Sequence, residues 1–146
     1  MISVLFLCAH NPSLARIAEA YLSALGEDRF LAVSAGLKPG RLDPFVARAL
    51  QEEGIDISGE KTPGVFDLHR DGGSYQYVIT IGSKEGVESF PVFPGRPMKM
   101  YWSFPDPAAF HGTDAMVMAK VRIVRDEMKR TVRQFLEKIR TEEPPN

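Results

Sequence analysis

Cysteine is nearly absent from this chain of 146 residues, and Cys8 is its one thiol. A single cysteine excludes an intramolecular disulfide and fits a reducing compartment. The histidines are scattered: His10, His69 and His111 have no partners at metal-ligand spacing, so neither a metal nor another cofactor is expected. No apolar run approaches the ~20 residues of a membrane-spanning helix. The stretch Met1 to Leu7 lacks the basic region and the length of a signal peptide. A basic excess is missing too, since 18 Lys and Arg face 19 Asp and Glu for a formal net charge of -1. General nucleic-acid and anionic-membrane binders carry such an excess. The expectation is therefore a soluble, cytoplasmic protein with neither nucleic acid nor membrane among its partners. Repeats, low-complexity tracts and Pro/Gly-rich linkers are absent, which argues for one domain over residues 1–146. That length buries roughly 70% of the unfolded surface without staples.

Hydrophobic patterning is what the chain does have. Ile2 to Leu7 is an almost unbroken apolar run, the mark of a strand buried on both faces. Leu14, Ile17, Ala18, Tyr21, Leu22 and Leu25 then recur at helical spacing, with Ser13 as candidate N-cap and Gly26 as the stop. Phe30 to Ala35 reads as a second strand and Leu37 to Asp43 as a loop. Asp43 and Pro44 open a helix that runs from Phe45 to Glu53. Between Ile55 and Asp71 one short helix is expected near Phe66-Asp67-Leu68. Tyr75 to Ile81 and Lys99 to Trp102 read as strands three and four, with a short helix between them at Lys84 to Glu88. Val121, Val124, Met128, Val132, Phe135 and Ile139 mark the clearest helix. Strands alternating with helices predict an α/β fold with a parallel sheet, helices on both faces and right-handed crossovers. Ligands of such sheets bind beyond the C-terminal strand ends.

Cys8 sits at such an end, in a loop that leads into a helix N-terminus. Unpaired amides and the helix dipole favour thiolate there, so its pKa is expected to fall below that of a free thiol. The same groups hold phosphate-like anions, which suits attack by sulfur on a bound tetrahedral oxyanion. The competing reading is an inert, buried cysteine.

Cys8-x-His10-Asn11, followed by a helix with Ala18-Glu19, resembles the phosphate loop of the low-molecular-weight protein tyrosine phosphatases. It resembles still more closely their relatives, the thioredoxin-coupled arsenate reductases. Ser34-Ala35-Gly36, Gly54-Ile55-Asp56-Ile57-Ser58-Gly59 and Val78-Ile79-Thr80 continue the likeness. Trp102-Ser103-Phe104-Pro105-Asp106-Pro107-Ala108 looks like the family's general-acid loop. The resemblance implies a three-layer sandwich around a four-stranded parallel sheet of order 2-1-3-4. It implies Cys8 as nucleophile and Asp106 as the acid that protonates the leaving oxygen. Asn11 matches the position that shapes the loop, and Ser13 joins it as an expected oxyanion ligand. Taken alone, Asp106-Pro107 also reads as a plain turn.

Two departures qualify the likeness. The family pattern is Cys, five residues, Arg, then Ser or Thr, but Leu14 and Ala15 stand at the last two places. The lost Arg would bind the anion bidentately and stabilise transition-state charge. Arg16 is the candidate replacement, since helical side chains lean toward the N-terminus, although it also faces Glu19 at i+3. The resemblance also places Gly82 and Ser89 where arsenate reductases carry two further cysteines. With Cys8 alone, a reductase needs an external thiol donor. Three functions follow as expectations. The first is thiolate chemistry on a small oxyanion or phosphomonoester, either hydrolysis or arsenate reduction. The second is an inactive pseudoenzyme relative that binds anions or regulates. The third is a thiol sensor built on an acidic Cys8.

Overall fold

The computed structural model describes residues 1–9, 12–57, 61–82 and 89–142. Its main sheet contains β1 (Ile2–Cys8), β2 (Phe30–Gly36), β5 (Tyr77–Ile81) and β6 (Met98–Trp102), all parallel, in the order β2-β1-β5-β6. Counting only these strands, that is the predicted order 2-1-3-4. β3 (Gly40–Arg41) and β4 (Lys61–Thr62) form a separate antiparallel ribbon that the sequence pattern did not disclose. Ribbon strands of two residues are too short to display alternation.

β1 runs through the middle, and Val4 through Cys8 are all buried. Strand alternation sends Val4, Phe6 and Cys8 to one face, with Ile79 and Ile81 of β5. There they meet α1 (Ser13–Leu25), α2 (Pro44–Gln51) and α4 (Asp114–Glu142). Leu5, Leu7 and Val78 point to the other face. Among the described residues that face carries the smaller cluster, with Val65 of α3 (Val65–Arg70) and Phe93 packed on it. Helices therefore flank the sheet on both sides, as the alternating pattern predicted.

The predicted stripe of α4 is buried along its length, from Val121 to Ile139. Burying each such side chain contributes roughly 1.5–3 kcal/mol. Phe135 gathers Phe30, Tyr77 and Trp102 at centroid distances of 6.4, 5.3 and 5.9 Å, tying this helix to β2, β5 and β6. Asp43 caps α2 as expected, its Oδ1 accepting from the Phe45 amide at 2.8 Å. The helix stops at Gln51, two residues short of the prediction, before Gly54 takes a left-handed φ of 79°. The third strand begins at Tyr77 rather than Tyr75. Just before it, Gln76 closes the sheet's lower end, its amide donating to Ser3 O at 3.0 Å. The short helix expected at Lys84 to Glu88 lies outside the described residues.

Candidate active site

Cys8 ends β1 opposite Gly36 of β2, and only 2% of its surface is exposed. Its sulfur is not sealed among aliphatic groups alone. The Ala15 amide, in the first turn of α1, donates to Sγ at 3.2 Å, and the Leu14 amide also bonds it. First-turn amides have no intrahelical partner, so they are available to sulfur or to an anion. The predicted meeting of thiol and helix terminus is therefore present.

The predicted acidity is not. Burial pushes the Cys8 thiol up to about 12, and the amides of Ala15 and Leu14 only partly offset it. The charge of Asp106 raises it further. Desolvation penalises the thiolate more than two neutral donors stabilise it. An acidic resting thiol, and with it the sensor reading, is corrected on this point.

Asp106 was expected either to mark a turn or to serve as an acid, and its placement is compatible with both. Its Oδ1 accepts from the Ala108 amide at 2.9 Å and so caps the short turn Pro107–Ala109. Its carboxylate is half-buried and near enough to Cys8 for its charge to act on the sulfur. The loop that carries it leaves β6 at Trp102, whose ring packs on Phe6 at 5.8 Å. Packing on β1 thus fixes where the Asp-Pro loop begins, two residues from Cys8 along that strand.

Leu14 occupies the place where the resemblance calls for a cation. It is 3% exposed, and a Cβ on Gly82 would stand 3.7 Å from its Cδ1. Gly82 itself has a φ of 115°, a conformation that favours glycine. Its amide donates to Trp102 O at 2.9 Å and its carbonyl accepts from the Tyr101 hydroxyl. Leu14 and Gly82 therefore form an apolar wall beside the thiol. Ser89, at the other position matched to a cysteine, is exposed.

Ser13 does not cap α1. Pro12 holds the N-cap position with no side-chain bond, and Ser13 is the first helical residue, fully buried. Its hydroxyl accepts from the Asp43 amide at 3.2 Å, joining α1 to the loop before α2. Proline at position 12 moved the helix start by one residue. Arg16 sits on Glu19, as its i+3 spacing allowed. The Ser34 hydroxyl also donates to Glu19, at 2.7 Å. Any reach of Arg16 toward an anion competes with this carboxylate. Ser34 was legible only as part of a motif, because its partner on α1 is fixed by tertiary packing. Asn11 and His10 lie outside the described residues.

Among the described residues, no group of three or more His, Cys, Asp or Glu side chains gathers to hold a metal. His69 bonds Val92 O at 3.0 Å. No described helix is long and apolar enough to cross a membrane. A cavity of about 600 Å³ lies away from this site, on the Leu7 face of the sheet, lined by Val78, Phe90, Phe93 and Tyr101 among others.

No family model matches the chain. It is 31% identical over 138 residues to an arsenate reductase of Bacillus licheniformis, covering 92% of this chain and 95% of that protein. Among solved structures it resembles an arsenate reductase in the oxidized state, with a TM-score of 0.77 and 27% identity over 95% of this chain and 99% of that one. A low-molecular-weight protein tyrosine phosphatase from T. tengcongensis shares the fold, with a TM-score of 0.71 and 22% identity over 94% of this chain and 99% of that one.

Proposed function

The chain belongs to the arsenate reductase family, and from that premise we propose that Cys8 performs thiolate chemistry on a tetrahedral oxyanion held at the N-terminus of α1. The preferred reaction is reduction of arsenate with an external thiol in a cytoplasmic setting. One observation carries this reading: the Ala15 amide already donates to Cys8 Sγ, at 3.2 Å. Those donors would be shared with an oxygen of the bound anion. The family resemblance assigns Asn11 to shaping this cradle, while Ser13, the first residue of α1, turns its hydroxyl to the Asp43 amide.

The protonated resting thiol sets the order of events. Cys8 holds its proton at rest, and the nearby Asp106 carboxylate disfavours its loss. Attack needs the reverse, a thiolate facing a protonated acid. Transfer of the thiol proton to Asp106, as sulfur closes on arsenic, produces that arrangement. Asp106 then protonates the departing oxygen, which leaves as water. The product is a Cys8 thioester of arsenic acid, with arsenic still pentavalent. An external thiol attacks the Cys8 sulfur, and the S–As bond breaks with its electron pair going to arsenic. Arsenite leaves, trivalent, and Cys8 remains in a mixed disulfide. A second external thiol releases Cys8 and carries off the disulfide, so two thiols supply the two electrons.

Gly82 and Ser89 favour an external donor because they leave no cysteine on this chain to resolve the adduct. The same feature supports a second reading, phosphomonoester hydrolysis, in which water finishes the cycle. The inactive alternative draws on Leu14 and Ala15, but the amides gathered on the sulfur and the kinship with reductases favour chemistry. The deciding assay measures arsenite formed from arsenate and dithiothreitol, beside aryl phosphate hydrolysis. Wild type is expected to form arsenite, and Cys8→Ser and Asp106→Ala to abolish it or reduce it at least about a hundredfold. Turnover of both substrates no higher than the Cys8→Ser background would overturn the proposal.

A further inference from the structure

We propose that Arg16, Glu19 and Ser34 act together as positioning residues, clamping the amides of the first turn of α1 onto Cys8. Their role presupposes the oxyanion reading of that cysteine, but it is testable without turnover.

A surface pair at i,i+3 needs neither burial nor a third partner. This pair has both. The side chains of Arg16 and Glu19 are 16% and 18% exposed, and Ser34 is 2% exposed. Charges removed from water persist when they are paired and their remaining lone pairs are satisfied. Here one oxygen of Glu19 accepts from both the Arg16 guanidinium and the Ser34 hydroxyl.

The clamp lies next to the thiol along both chains. Arg16 directly follows Ala15, whose amide holds Sγ. Ser34 lies two residues before Gly36, the register partner of Cys8. The Ser34–Glu19 bond therefore bridges the two pieces of backbone that flank the sulfur, the first turns of α1 and the C-terminal end of β2, and Arg16 holds the Glu19 carboxylate in place. Their common anchor is the Glu19 carboxylate rather than Sγ, so their effect on the sulfur passes through the backbone. If α1 slid along β2, the Ala15 bond to sulfur would be lost first, because that amide has no intrahelical alternative.

Hydrogen exchange at single amides distinguishes this role from general stabilisation. Leu14 and Ala15 report the cradle, and Leu22, deep in the same helix, reports opening of the helix as a whole. In Glu19→Gln and Ser34→Ala, exchange at Leu14 and Ala15 is expected to accelerate roughly tenfold while Leu22 stays unchanged, the effect of losing one hydrogen bond locally. Arg16→Lys, which keeps a cation on Glu19, is expected to hold protection near wild type, and Arg16→Met to lose it. Equal acceleration at all three amides, or no change at Leu14 and Ala15, would overturn the inference. If Glu19→Gln fails to fold, Ser34→Ala, which deletes one oxygen, decides alone. A wild type without turnover would sink the proposed reaction and leave this result standing.

Discussion

Cys8 keeps its proton because the fold buries it more thoroughly than two amides can compensate. Its pKa, about 12, exceeds the roughly 8.5 of an unfolded thiol. The folded state therefore binds the proton more tightly. This contribution to stability is complete below the unfolded value and is lost as pH rises toward the folded one. Alkylation by iodoacetamide should be slow at neutral pH and climb without a plateau through pH ~10. A plateau near pH ~8.5 would show an ordinary thiol. The sequence placed Cys8 at the helix end correctly but not its ionisation, since depth of burial depends on Leu14, Ala15 and neighbouring strands together. Leu14→Arg with Ala15→Ser puts a cation and a hydroxyl where the family pattern has them. Turnover should rise about 10²–10³-fold, the usual worth of a well-placed transition-state donor. The uncompensated buried charge should lower the melting temperature, and added arsenate should recover it by mass action. Unchanged turnover would mean that position 14 does not face the anion.

At the scale of elements, a lattice of charges fixes α2 against α4. Glu52 accepts from Arg122 Nη2 at 2.7 Å and from Arg125 Nη1 at 2.8 Å, and Arg125 also reaches Ala49 O at 2.9 Å. Lys129 and the Tyr21 hydroxyl meet Glu53 at 3.1 and 3.2 Å. Burial first, then the Glu53 charge, pushes the Tyr21 phenol up. The hydrogen bond from Arg122, then that from Arg125, hold Glu52 down at about 2. A depressed carboxylate stabilises above its unfolded pKa and stops doing so as pH falls through the folded value, here from about 4.5 down to about 2. Arg125→Ala should lower the melting temperature more than Arg122→Ala, because only Arg125 also satisfies a helix carbonyl. Equal effects at low salt would contradict this. The apolar stripes of α1, α2 and α4 were legible because a period of 3.6 is written in one segment. These cross-helix pairs were not, because their spacing of some seventy residues has no local signature.

For the molecule as a whole, alternation of strands and helices was enough to predict the parallel sheet and the end at which Cys8 lies. The order of strands came from resemblance, since periodicity does not say which strands are neighbours. The unequal size of the two clusters that the described residues form on the sheet faces was invisible in the sequence, as was the cavity beside Phe90 and Phe93, which lies on the face away from the thiol. The proposed chemistry requires a tetrahedral anion to dock on the first-turn amides of α1. Inorganic phosphate resembles arsenate in shape and charge but is not reduced by thiols. Titrating phosphate into ¹⁵N-labelled protein, with amide shifts followed by NMR, is the direct measurement. Leu14 and Ala15 should shift in a saturable way while Leu22 stays still. Saturation with those two amides unmoved, or no saturable shift at all, would contradict it.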